Sequence, residues 1–327
     1  MRLRVLLLLL VGIGVRGAWA ATDSLSLESA PESKSSMGIK DVIGDKKFEE
    51  DKAITDLELR SYAGSLNRYS LQTTLGYSGP PVNQLSDPNK PNPDNRPGDN
   101  RTLLSGTMGL RYRVTSDSAV NLTTGVGWFT PYQAVKNEPV DRPSNTKTYD
   151  VSNPGVSYDT SYAVGPTQGR SSFRATAETQ TYYVQQGQWG GVGYSQYLKY
   201  TPLMGRVILG VQLALDYFMY DRDFKDPDAR GKNGDGKVSR YYMNLIPSFE
   251  YKITDAVNFN TSLGYPYQNL RGDHSWWNWS HPLSTWRLGL GWAITHDIYI
   301  NPYVNFYAES PAFDTASLNF NTTFSIF

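Results

Sequence analysis

From residue 66 to the end of the chain, apolar and polar residues alternate with a period of two, and helix-period stripes are absent. Tyr69, Leu71, Thr73, Leu75 and Tyr77 alternate with Ser70, Gln72, Thr74 and Gly76. Leu104, Met108, Leu110 and Tyr112 alternate with Ser105, Thr107, Arg111 and Arg113, and Val120, Leu122, Val126 and Trp128 with Asn121, Thr123 and two glycines. Similar series occupy 173–183, 192–200, 209–219, 243–251, 257–265, 286–294, 298–306 and 318–326. Successive side chains of a strand point to opposite faces, so each series is a strand with one apolar and one polar face. The series run to roughly 9–14 residues, whereas strands of soluble sheets average about five or six. A tilted strand of about 9–11 residues crosses a bilayer. Length therefore favours a membrane-spanning barrel over a soluble sandwich.

The pattern yields eleven strands, and a barrel with both ends on one side of the membrane needs an even number. Short polar connections fall at 115–118, 201–206, 252–255 and 295–297, and longer ones at 79–101, 130–150, 221–237 and 268–283. Short turns belong on the periplasmic side and long loops outside. That alternation of sides requires one more strand at 151–164, where Val156, Tyr158, Thr160 and Tyr162 alternate with Ser157, Asp159 and Ser161. The predicted fold is all-β: a transmembrane antiparallel barrel of about 12 strands. Trp128, Trp286 and Trp292 fall on outward parities, as do Tyr77, Tyr112, Tyr217, Tyr251 and Tyr265 near strand ends. Amphipathic rings belong where apolar tails meet headgroups, so these are the predicted interfacial aromatics.

The amino terminus follows other rules. Arg2 and Arg4, an apolar run over 5–15 and Ala18-Trp19-Ala20 form a cleavable export signal over 1–20. Its removal takes away three arginines and no acid. Residues 21–60 then hold ten acidic and six basic residues and a single aromatic, Phe48. We read 21–65 as a charged periplasmic extension, partly disordered or helical, a plain flexible leader rather than a partner-binding segment or a pore plug. Ile54, Leu57 and Tyr62 offer one short helical face within it. The barrel, 66–327, keeps 22 basic against 21 acidic residues, a balance that gives no footing for nucleic acid. The mean hydropathy of -0.47 resembles a soluble protein because polar inward residues offset lipid-facing ones.

An export signal, alternating strands up to the last residue and a carboxy-terminal Phe327 together resemble the bacterial outer-membrane β-barrel class. The resemblance implies an outer-membrane location, contact with outer-membrane lipids, and recognition of the closing strand by the barrel assembly machinery. One departure stands out. Leu318, Phe320, Phe324 and Ile326 lie on the parity opposite to Phe327, where the usual signal shares it.

Function must then reside in the lumen and loops, because lipid dictates the outer face. The inward series carries Arg111, Arg113, Arg174, Lys199, Arg240 and Arg287 against Asp159, Glu178, Asp216 and Glu250. Charged rings bias solute entry, so these are candidate lining residues of a weakly anion-leaning path for small polar solutes. The alternative is a filled lumen in which the charges pair with one another. The chain has no Cys, which removes thiolate chemistry and disulfides. His274 and His281 flank a Trp276-Trp277-Trp279 cluster in a predicted outer loop, and His296 sits at a predicted turn. Adjacent Asp273, His274 and Ser275 do not by themselves create a nucleophile–base geometry. No catalytic site, metal or cofactor is expected. The acidic loop at 221–237 lacks the closing Glu of a calcium loop and reads as a solvated turn. Residues 87–93 read as a stiff loop, and Gly187-Gln188-Trp189-Gly190-Gly191 as a tight hairpin.

Overall fold

Twelve antiparallel strands close into a barrel in which each strand pairs with its sequence neighbours and β1 pairs with β12. The computed structural model describes residues 54–82, 103–129, 149–180, 183–184, 187–202, 205–221, 239–270, 277–295 and 297–326. The strands are β1 (Tyr69–Pro81), β2 (Leu103–Arg113), β3 (Ser118–Phe129), β4 (Tyr149–Val164), β5 (Thr167–Ala177) and β6 (Gln188–Tyr200). They continue with β7 (Val207–Tyr220), β8 (Ser239–Lys252), β9 (Val257–Leu270), β10 (Thr285–Thr295), β11 (Ile298–Tyr307) and β12 (Ser317–Ile326). Closure leaves no open edge, which a bilayer demands because hydrocarbon offers no hydrogen-bond partner to a bare strand.

Burial is inverted relative to a soluble protein. The outward row Leu71, Leu110, Leu122, Val156, Ala175, Val192 and Tyr217 runs in register across seven strands. Leu110 and Leu122 in that row are more than 60 % exposed, as lipid-facing residues must be. One position along each strand, Arg111, Asn121, Ser157 and Arg174 form an inward row, and Arg111 and Asn121 are buried. At the short-turn edge Tyr69 and Tyr112 pack ring on ring at 5.3 Å, and Arg68 reaches the Tyr112 hydroxyl. Such an aromatic–cation pair holds an apolar body in lipid and a polar tip in the headgroups.

Two strands depart from the sequence reading. β4 begins at Tyr149, and Asn153, with φ 51, makes a bulge across from Thr123 and Gly125. The bulge moves the outward parity from Tyr149 and Val151 to Val156 and Tyr158, all exposed, which is why simple alternation registers this strand poorly. β5 spans 167–177 rather than 173–183. A two-residue turn, Gly165-Pro166 with Gly165 at φ 58, starts it six residues earlier than the apolar pattern does. Consequently residues 188–191 are not a hairpin but the opening of β6, entered from Gly187 at φ 82.

The outer face also hides a polar cluster. Gln196, on the parity of Tyr194, accepts from the Ser171 and Tyr194 hydroxyls at 2.6 and 2.7 Å, and its amide lies 2.7 Å from the Tyr162 hydroxyl. Gln196 is buried beneath those neighbours, so lipid meets rings rather than an amide. Tyr162 lies over Gly169, where a side chain would collide with its ring. A ring covering a strand glycine restores the packing that the glycine lacks.

Candidate functional site

Residues 54–65 lie inside the barrel, at the end that carries the short turns. The rest of the segment read as a charged extension, 21–53, and the export signal over 1–20 lie outside the described residues. Residues 54–65 form helix α1 (Leu57–Ala63), capped by Asp56, whose side chain accepts from the Leu59 N–H, and ended by Gly64 at φ 72. Seven residues are too few for a stable free helix, so the surrounding wall must supply the order. Leu57 and Leu59 are buried there, and α1 packs against β10, β11 and β12.

Polar side chains of the wall hold this plug at both ends. Gln168 acts as a surrogate strand: its carbonyl accepts from the Thr55 and Asp56 N–H groups at 2.9 and 3.0 Å, and its amide donates to Thr55 Oγ1. Lys199 Nζ contacts Asp56 Oδ1 at 2.9 Å, Glu58 Oε2 at 2.7 Å and Glu250 Oε1 at 2.5 Å. Glu250 is steadied by the Asn258 amide at 2.6 Å. At the other end, Arg113 donates to the backbone carbonyls of Ala63 and Ser65 and to that of Ser116 in the wall, and Arg111 to the Tyr62 carbonyl and to Oε1 of Gln72 in the wall. The Arg170 guanidinium lies 4.6 Å from the Tyr62 ring centroid. Carbonyls facing arginines and carboxylates facing an ammonium are charge-assisted contacts, each stronger than a neutral hydrogen bond.

Beyond the plug the lumen opens into a cavity of about 700 Å3 lined chiefly by β1 to β7. One wall presents Gln72, Thr74, Ser105 and Thr107. The opposite wall presents ion pairs: Arg170 with Asp159 at 2.9 Å, and Arg174 with Asp216 at 2.6 Å. The second pair reaches across β6 because Gly193 lies between them, where a Cβ would strike both side chains. Near the outer rim, Glu178 accepts from the Asn153 and Gln188 amides and from the Gln180 N–H. Burial pushes the Glu178 carboxyl above its ordinary value against these hydrogen bonds, and the charge of Asp150 adds to the shift.

No family model matches the sequence, and no curated protein matches it. Solved structures do. An outer membrane channel from Pseudomonas putida F1 is 8% identical, over 79% of this chain and 95% of that one, with a TM-score of 0.46. The NanC porin is 10% identical over 78% and 100% of the two chains, at 0.41, and the KdgM porin 7% identical over 79% and 99%, at 0.40. The twelve-stranded closed barrel with its apolar outer face rests on the chain's own strand pairing. At these identities and scores, function has to be read from the barrel's own geometry.

That geometry sorts the charges singled out from sequence. Arg111, Arg113, Lys199 and Glu250 meet at or beside the plug. Asp159, Arg174 and Asp216 line the vestibule, and Glu178 lies just past the end of β5, at its rim. Arg287 sits over the Tyr303 ring at 5.2 Å on another wall, bordering a cavity of about 140 Å3 beside α1. Arg240 lies at the outer end of β8, where the register shifts between Ser239 and Tyr241. Sequence reasoning overlooked Asp56, Glu58 and Gln168, the first two because they belonged to the supposed leader. Gln168 and Arg170 were lost with the misplaced start of β5, and the Gly165-Pro166 pair was the signal that would have recovered them.

Of the aromatics, Trp128 and Trp292 are exposed on the outer face, and Trp286 packs on Phe306 with its indole N–H donating to Thr261. His281 lies 2.7 Å from the Pro266 carbonyl through Nδ1 and 3.0 Å from Ser284 Oγ through Nε2. A carbonyl can only accept, so Nδ1 carries a proton toward Pro266. Ser284 is buried, however, and its N–H donates to the Glu309 carboxylate at 2.8 Å. The His281–Ser284–Glu309 group thus fastens the segment before β10 to the residues after β11. His274, Trp276, His296, Phe327, residues 87–93 and the acidic loop beyond Asp221 lie outside the described residues.

Proposed function

We propose that this barrel is a passive outer-membrane channel for small polar solutes, with α1 as a plug at the periplasmic mouth. The observation that carries the reading is the division of the lumen. A vestibule of about 700 Å3, whose lining includes ion pairs and hydroxyls, lies on the outer side, above a seven-residue helix anchored at both ends by charged side chains. A lumen filled only for stability needs no such vestibule, and buried ion pairs are a poor source of stability compared with apolar packing. Polar contacts, by contrast, can be exchanged for water when the plug leaves. A second reading has support in the same plug: a permanently closed barrel whose outer cup and loops make surface contacts. The outward series of β12, ending at Ile326, is the segment that the assembly machinery would read.

Planar-bilayer recording of the refolded full chain, with and without a weakened plug, separates the two. The channel reading expects step conductances that become more frequent when the Lys199 contacts are removed. An absence of steps from both proteins, each correctly folded, would leave the closed cup as the function.

A further inference from the structure

We infer that the vestibule admits small cations in preference to anions, with Asp150 and Glu178 setting that preference at the outer rim. The inference rests on the channel reading. It also reverses the weak anion preference that a plain count of inward charges suggests.

The reversal comes from where the cations are engaged. Arg111, Arg113 and Lys199 make three of the six basic residues in that count, and all three bind plug carbonyls or carboxylates at the periplasmic end. A solute entering from outside first meets the vestibule. Among the described residues, the charged side chains lining it are Asp150, Asp159, Glu178 and Asp216 against Arg170 and Arg174. Each arginine is paired with one carboxylate, Arg170 with Asp159 and Arg174 with Asp216. Two negative charges remain, and both are at the rim.

Both line the cavity. Asp150 lies between outward-facing Tyr149 and Val151 and lines the cavity. Glu178 is held by two side-chain amides and one backbone N–H. Neutral donors fix the carboxylate in place without neutralising it, which is how a charged ring retains its field. The facing wall of Thr74, Ser105 and Thr107 offers hydroxyls that solvate either sign and so does not oppose the bias. The solute class that fits is a small inorganic cation or an organic one carrying an ammonium or guanidinium group.

The test uses the full chain and the double variant Asp150→Asn/Glu178→Gln. Reversal potentials under a KCl gradient should show potassium favoured over chloride. One unit charge about 6 Å from a permeant ion changes the cation-to-anion ratio by about threefold at 0.1 M salt. The double variant should therefore lose most of the preference, a drop of up to about tenfold. Chloride preference in the parent, or a ratio unchanged in the variant, overturns the inference while leaving the channel reading intact. Binding in detergent supplies a readout that needs no open pore: saturation-transfer NMR with tetramethylammonium and, in parallel, acetate. Stronger transfer to tetramethylammonium, reduced in the double variant, supports the inference even if no steps are recorded. Equal transfer to both ions, or transfer unaffected by the substitutions, overturns it.

Discussion

Replacing Lys199 by Met is the most informative perturbation of this barrel. The side chains of Lys199, Asp56 and Glu250 are 4%, 1% and 5% exposed, and Glu58 closes the group from a half-buried position. One ammonium thus serves three carboxylates. Removing a partner from a buried pair costs about 3–5 kcal/mol, because the remaining charge is left in a poor solvent. The plug cannot keep that cost while water is a short displacement away, so the closed state should lose about 10²- to 5 × 10³-fold in population relative to the open one. The other anchors define what moves. Arg113 and Arg111 hold the carbonyls of Tyr62, Ala63 and Ser65, so the Asp56 end should swing out while the Gly64 end stays. In planar bilayers the open probability of Lys199→Met should rise by at least an order of magnitude. Trypsin should also cleave after Arg60 in the variant and not in the parent. Neutralising the three acids as well, with Asp56→Asn, Glu58→Gln and Glu250→Gln, should restore closure, since Asn still caps the helix. If Lys199→Met retains its heat-modifiable gel mobility yet gates and resists trypsin like the parent, the ammonium is not the latch.

Three further outcomes are expected. The Glu178 carboxyl holds its proton above the ordinary value of 4.5, so cation preference should fade at a pH above that value as the solution is acidified. By the same shift, the folded rim gains stability below 4.5 and loses it as pH rises through the raised value; a preference unchanged down to pH 4 would exclude Glu178 as its source. Gln196→Leu places a hydrocarbon on the lipid side and should nevertheless destabilise the barrel by about 1–3 kcal/mol, because the Ser171 and Tyr194 hydroxyls lose their acceptor. Urea unfolding in detergent or liposomes reads this, and an unchanged or higher midpoint would count against the buried cluster. Finally, with Trp292 as the sole tryptophan, lipids brominated near the headgroup should quench its fluorescence more than those brominated at mid-chain; the reverse order would remove it from the interface.

The barrel itself was legible in the chain because a strand with lipid on one side and water on the other must alternate. Leu71 to Tyr77 and Leu104 to Tyr112 could be assigned a face without any knowledge of their partners. The C-terminal parity was legible too, with Leu318 and Ile326 exposed to lipid and Ser317 and Asn319 buried inside. Alternation failed where backbone geometry interrupted it. Asn153 shifted the parity of β4, and the Gly165-Pro166 turn joined β4 and β5 without the polar stretch that a connection usually has.

Which inward charges meet could not be read from spacing at all. Lys199 is separated from Asp56 by 143 positions and Arg113 from Ser65 by 48, and curvature of the closed sheet, with the helix folded into it, brings them together. The sequence by itself determined the period, the two chemical faces and the strand lengths, because each is a local response of a strand to the solvent on either side. Only the tertiary structure decided that residues 54–65 enter the lumen and that Lys199, Arg111 and Arg113 bind them rather than a passing anion. Burial of charge is a property of the enclosing wall, and twelve strands have to close before that wall exists.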